Sequence, residues 1–188
     1  MPAWRQQNSL KPGFRVPQRS ARERGQALIE FSVVALMLIC MMFAVIDVSR
    51  AIYVQQIITH LTREGSNLAA RGTTLANAVS AVESDAAPLD ITTAGYVIVT
   101  SIQNTGIGGT VCGSGYTCSQ ATGGGMATAP GSKVWNGGAT TPTLPTGIPA
   151  AGQTSYVTEV FYQFTPVTPI GSLLKLALPT TMYDVAYF

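Results

Sequence analysis

The stretch Arg22-Glu23-Arg24-Gly25-Gln26-Ala27-Leu28-Ile29-Glu30-Phe31 leads directly into an apolar segment that ends at Ile46. Residues 31–46 carry no charge, and the neighbouring apolar residues bring the run to about 20, the length that crosses a bilayer. Glu30 and Asp47 interrupt the extended run, so a buried helix of a soluble protein is the alternative. The charges that flank the run favour a membrane segment.

Basic residues are concentrated before this segment. Six basic residues and one acidic residue precede Gln26, whereas five basic and eight acidic residues follow it. Because basic flanks stay in the cytoplasm, the sequence predicts a cytoplasmic N-terminus and an extracytoplasmic main part. The acidic remainder offers no basic surface for nucleic acid, so nucleic acid is excluded as a partner.

The order of these features differs from that of a secretory signal peptide. A signal peptide has an apolar core of about 7–15 residues, which a small-residue cleavage site follows. Here the apolar core is longer, and the candidate cleavage point, Gly25, precedes it.

This order resembles the prepilin-peptidase site of type IV pilin-like proteins, in which a glycine, four residues and then Glu-Phe open a transmembrane helix. The string from Arg24 to Phe31, with Ile46-Asp47-Val48-Ser49-Arg50-Ala51 and Thr62-Arg63-Glu64-Gly65, is similar to TadE-like pseudopilins of the tight-adherence (Flp) pilus. The similarity is closest over residues 22–72, and the tract Tyr162-Gln163-Phe164-Thr165-Pro166-Val167-Thr168-Pro169 also resembles the family. It implies cleavage between Gly25 and Gln26 by a prepilin peptidase. It further implies that other pilins or pseudopilins and the membrane pilus machinery are partners.

Glu30 needs an explanation, because a charged side chain at the centre of a membrane helix costs about 2.5–3.5 kcal/mol. Cleavage after Gly25 would create an α-amino group on Gln26, four residues earlier on the same helix face, which could neutralise the carboxylate. The resemblance implies a second arrangement, in which Glu30 meets the new amine of a neighbouring subunit and sets its register. A third is that Glu30 lies in the headgroup layer. At the other end, Asp47 and Arg50 are spaced to pair along the helix and mark the membrane boundary.

The helical pattern continues beyond the membrane. An apolar stripe of Val54, Ile58, Leu61 and Leu68 predicts one helix over residues 26–71, with Gly65 as a candidate kink and Gly72 as the stop. The stripe can pack on the protein's own sheet or on other subunits. Thr73 or Thr74 is expected to cap a second helix that ends near Val82.

The remainder has the character of strands. Residues 96–102, 156–164 and 182–188 are rich in β-branched and aromatic residues, and residues 172–178 suit a short helix. We therefore predict an α+β fold with a small antiparallel sheet on the outer half of the long helix. The predicted organisation is a cleaved leader over 1–25, a transmembrane helix over 26–50 and an extracytoplasmic domain over 51–188.

Residues 106–152 hold thirteen of the nineteen glycines and one charged residue, Lys133, and predict a glycine-rich loop. Cys112 and Cys118 lie within it, and the extracytoplasmic side permits a disulfide, so we expect them to pair. Cys40 suits an apolar filler of the membrane segment. The loop could present Tyr116 and Trp135 to a partner, or it could be a tolerated surface insertion.

The motifs of common enzyme classes are absent. The sequence has one histidine, and it lacks His-Glu-x-x-His, Gly-x-Ser-x-Gly and the phosphate-binding Gly-x-x-x-x-Gly-Lys-Ser/Thr loop. We therefore expect no catalytic site, no cofactor and no metal site. Two functions remain: a minor or initiating pseudopilin, since the predicted mature chain is long for a major subunit, or a signal-anchored membrane protein that binds an external ligand.

Overall fold

A computed structural model describes residues 21–106, 112–113, 115–169, 171 and 179–188, with side chains from Gly25 onward. Within these described residues, the elements follow in the order α1 (Ala21–Ala70), α2 (Leu75–Asp85), α3 (Ile91–Ala94), β1 (Gly95–Asn104), β2 (Tyr116–Gly124), β3 (Thr154–Gln163) and β4 (Thr181–Tyr187). The chain divides into two compact units, residues 1–41 and 42–188. The predicted leader before Ala21 and the predicted helix over 172–178 lie outside the described residues.

The long helix ends as its sequence indicates. Gly72 has a φ of 91°, and its N–H donates to the carbonyl of Ala69 at 3.1 Å, while the N–H of Thr73 donates to Leu68 at 3.2 Å. This pair of bonds is a Schellman motif, which requires a left-handed residue after the helix. Thr74 then caps α2, since its hydroxyl accepts from the N–H of Asn77 at 3.3 Å. The predicted stop and cap are both confirmed.

The four strands form one antiparallel sheet in the order β2-β1-β3-β4. Its first face shares a buried cluster with α1 and α2, in which Ile58 and Leu61 of the predicted stripe meet Val97, Val99 and Val160. The α+β prediction is confirmed, and the stripe packs within the chain itself. Thr62 and Ser66 add hydrogen bonds from α1 to Asp184 and to the carbonyl of Ala186, which fasten β4 to the helix.

Gly65 does not interrupt α1, which continues to Ala70, and a kink at this residue stays a prediction. A Cβ atom at this position would lie 2.8 Å from the side chain of Thr158 and 2.9 Å from Val82. Glycine is therefore needed because helix and sheet approach closely at this point.

The second face of the sheet is covered by the glycine-rich segment, which was predicted to be a loop. It contributes strand β2, and further along it Val134 and Trp135 pack against Ile102, Cys118 and Val157 in a second buried cluster. The prediction of a loop is therefore wrong over Tyr116–Gly124, and the segment also contributes to the core. Trp135 is only 8% exposed, so the alternative in which the segment presents Trp135 to a partner is wrong.

Candidate processing and assembly site

The predicted cleavage and assembly residues lie on the first part of α1. Gly25, Gln26, Glu30 and Phe31 are all helical and exposed, and Phe31 is 71% exposed. Apart from its own helix backbone and chain neighbours, no heavy atom of the described residues lies within 4 Å of the place where a Cβ of Gly25 would stand. Gln26 and Glu30 are four residues apart on one helix face. Gly25 and Glu30 are therefore both accessible on the surface of α1.

Beyond Phe31, large apolar side chains remain exposed along α1. Leu36, Met37, Leu38, Met41 and Val45 are each more than half exposed. By length and composition, α1 is the one helix among the described residues that could cross a membrane. An exposed apolar surface of this extent is costly in water and favourable in lipid.

Asp47 is the first charged residue after the uncharged residues 31–46 and is fully buried. Its carboxylate accepts hydrogen bonds from the backbone N–H of Val167 at 3.1 Å, from that of Thr168 at 3.4 Å, and from the hydroxyl of Thr168. Arg50, its predicted partner, is exposed. The sequence indicated a boundary pair within the helix but not the bonds to the segment after β3. The similarity of residues 162–169 to a family tract was the available signal that this segment matters.

A second buried carboxylate, Glu159, lies on the face of the sheet that the glycine-rich segment covers. It accepts hydrogen bonds from the backbone N–H of Lys133 at 2.8 Å, from the phenol of Tyr183 at 2.9 Å, and from the hydroxyl of Ser132. The ammonium of Lys133 stands 3.7 Å from the centre of the Tyr183 ring, within the range of a cation–π contact. These contacts join the glycine-rich segment to β3 and β4.

Burial and the neighbouring Glu159 carboxylate raise the pKa of Tyr183 well above its ordinary value of 10.0. A raised pKa in the folded state means that the contribution to stability is complete below the ordinary value and is lost as the pH rises towards the folded-state pKa. We therefore expect the free energy of unfolding to fall above about pH 10. The fall should be smaller in Tyr183→Phe, whereas Tyr53→Phe, at an exposed position, should retain it. Guanidinium unfolding of each protein between pH 8 and 11 measures this, and equal slopes for both variants would contradict it.

The three cysteines occupy two kinds of environment. Cys112 and Cys118 are joined by a disulfide with a Cα–Cα distance of 5.7 Å, and both are buried in the second cluster. Cys40 is a free, exposed cysteine of the apolar part of α1. Asp90, directly before α3, accepts hydrogen bonds from the hydroxyls of Thr92 and Thr93 at 2.6 and 2.7 Å. No group of three or more metal-ligating side chains occurs within the part of the chain that the structure describes.

Comparison with known proteins finds a match to the part of the chain that contains Gly25 and Glu30. The family model described as "TadE-like protein" matches residues 25–67, which begin at the predicted cleavage residue and cover most of α1. No curated protein and no solved structure matches the chain. Residues 25–67 of this chain are therefore similar to the TadE-like family, as the resemblance of the sequence predicted.

Proposed function

We propose that this protein is a minor or initiating pseudopilin of a tight-adherence pilus, anchored by α1 in the cytoplasmic membrane with its folded domain outside. The observation that carries the proposal is the TadE-like segment, which places an exposed glycine, an exposed glutamate and an exposed apolar surface in sequence along one helix. This is the arrangement needed for removal of a leader and for lateral contact with other membrane helices. The role is assembly, with no chemistry assigned to the folded domain.

In this proposal a prepilin peptidase cleaves between Gly25 and Gln26. The new α-amino group then lies one helical turn from Glu30, where it neutralises the carboxylate of its own chain or of a neighbour. Such a pair would be made within a membrane, where an unpaired charge is costly, so it would favour one register between adjacent subunits. The basic leader supports the orientation with the N-terminus in the cytoplasm.

Piliation of a strain that lacks this gene tests the role of Glu30. Complementation with the wild-type chain is expected to restore surface pili, and complementation with Glu30→Ala is expected to leave them strongly reduced, because the charge pairing is lost. Ser32→Ala is the matched control, since the hydroxyl of Ser32 bonds only to the Leu28 carbonyl of its own helix turn. Normal pili in the deletion strain would contradict a role in assembly.

The second candidate is a signal-anchored membrane protein that binds an external ligand through its folded domain. It shares the anchor with the first candidate but requires neither cleavage at Gly25 nor a role for Glu30. The glycine-rich segment was one candidate for the binding surface, and its aromatic residue Trp135 is buried. The proposal of a pseudopilin is therefore preferred.

A further inference from the structure

The segment that follows β3 is held tightly at both ends. Phe164 is buried in the first cluster, and its N–H donates to the carbonyl of Thr180 at 3.0 Å. Three residues later, Val167 and Thr168 donate to Asp47 on α1. Gly171 closes the turn, since its N–H donates to the carbonyl of Thr168 at 2.9 Å. We call residues 164–168 the 164–168 tract.

The 164–168 tract supplies hydrogen-bond donors to the buried carboxylate of Asp47. Asp47 directly follows the apolar surface of α1, and a carboxylate at the edge of a membrane is costly unless donors satisfy it. The tract supplies two backbone N–H groups and a hydroxyl. The carboxylate thus becomes the point at which the tract is fastened to the helix.

Fastening the tract in this way exposes an apolar side chain. Val167 is 69% exposed although its backbone N–H is bonded to Asp47. The tract therefore presents an exposed apolar side chain beside Asp47, the residue that follows the uncharged residues 31–46 of α1. Along α1, Arg50 and Tyr53 follow Asp47 by about 4.5 and 9 Å at 1.5 Å per residue, and both are exposed. Arginine and tyrosine are the residues that favour the boundary between lipid and water.

We propose that the 164–168 tract is a second membrane contact, in which Asp47 holds Val167 in the headgroup layer of the bilayer that α1 crosses. The inference rests on the proposed membrane anchoring of α1. We propose lipid as the contact of Val167 because Val167 lies beside Asp47, which directly follows the segment of α1 proposed to cross the membrane. Two contacts, the helix and the tract, would fix how the folded domain stands on the membrane, where the helix alone would leave it free to tilt.

Fluorescence quenching in vesicles tests this contact on the full chain. Single-cysteine variants in a Cys40→Ser background carry an environment-sensitive dye at Val167→Cys, at Val34→Cys within the apolar segment, or at Ile148→Cys in the folded domain. The disulfide pair Cys112–Cys118 does not react with the dye. Each protein is placed in phosphatidylcholine vesicles at a high ratio of lipid to protein. Quenching is then measured with a lipid nitroxide near the headgroup and with iodide in water.

The dye at 167 is expected to be quenched by the lipid nitroxide and protected from iodide, whereas the dye at 148, which replaces a 40% exposed isoleucine, should show the reverse. In the Thr168→Val and Asp47→Ala proteins, iodide should quench the dye at 167. Quenching of the dye at 34 should stay unchanged. Circular dichroism and the dye at 148 show whether these variants remain folded. Where either variant unfolds, the comparison of 167 with 148 in the otherwise unaltered chain decides.

The remaining outcomes separate this inference from the proposed anchoring. If the dye at 34 is reached by iodide, the membrane anchoring itself fails. If the dye at 34 is protected and the dye at 167 behaves like that at 148, the tract does not contact lipid and the inference is wrong. If the dye at 167 is protected from both quenchers, a protein neighbour covers Val167, and this result also overturns the inference.

Discussion

Replacing Trp135 with alanine is expected to lower the free energy of unfolding by about 3–5 kcal/mol, the usual cost of removing a buried tryptophan. The indole packs in the second cluster with Ile102, Cys118 and Val157, and its Nε1–H donates to the carbonyl of Gly138 at 3.2 Å. The substitution leaves a cavity between the glycine-rich segment and the sheet. Denaturant unfolding of the purified chain measures the loss.

Ile148→Ala is the matched control, because Ile148 belongs to the same glycine-rich segment but is 40% exposed. Its effect is expected to be within about 0.5 kcal/mol, as for most exposed positions. Trp135→Phe should give an intermediate loss, since the smaller ring refills part of the space. Equal stabilities of the Trp135→Ala and Ile148→Ala proteins would show that the glycine-rich segment does not contribute to the core.

Glu159→Ala is expected to lower the free energy of unfolding by about 2–4 kcal/mol. Three donors converge on this carboxylate, from Ser132, Lys133 and Tyr183, and a donor left unpaired in a buried site costs about 1–3 kcal/mol. Part of that cost is offset, because the substitution removes a carboxylate that is costly to bury and because water can enter the space. The loss should appear as a lower denaturant midpoint and a glycine-rich segment that is more readily cut by protease.

Two further variants make this prediction specific. Glu159→Gln keeps one acceptor oxygen and the shape of the side chain, so its loss should be smaller than that of Glu159→Ala. Asp85→Ala removes an exposed carboxylate at the end of α2 and should leave stability nearly unchanged. A Glu159→Ala protein as stable as Asp85→Ala would contradict the view that Glu159 fastens the glycine-rich segment.

The parts of the fold that the sequence predicts are those with local signals. The stop at Gly72, the cap at Thr74 and the β-branched and aromatic residues of β1 and β3 are each signals from residues a few positions apart. The predicted end of α1 at 71 differs by one residue from its end at Ala70. The short helix α3 was missed, because four residues carry too little periodicity to be seen.

Strand β2 forms within the glycine-rich segment, although the sequence of that segment predicts a loop. Glycines within a strand weaken its own preference, so Gly123 and Gly124 argued for a loop. The strand forms because β1 supplies a partner along its whole length, from Tyr96 opposite Gly124 to Asn104 opposite Tyr116. A Cβ at Gly123 would lie 2.5 Å from Val79, so the glycine also admits α2 to the sheet.

The residues of the candidate site also fall into two groups, those with a local signal in the sequence and those whose partners lie far along the chain. Gly25 and Glu30 are recognisable because their motif is contiguous in sequence, and the TadE-like match begins at Gly25. The partners of Asp47 could not be predicted, since Val167 and Thr168 lie 120 and 121 residues further along the chain. The donors of Glu159 are also remote, 24 to 27 residues away, and two of the three come from a segment that appeared to be a loop.

Cleavage at Gly25 is the central claim, and intact-mass and N-terminal analysis of the chain expressed with and without its prepilin peptidase tests it most directly. With the peptidase, the account predicts a mature chain that begins at Gln26, and without it the full-length chain. A bulky residue at Gly25, as in Gly25→Leu, should abolish the difference, whereas Ser32→Ala should preserve it. A full-length chain under both conditions would contradict processing and favour the signal-anchored binding protein.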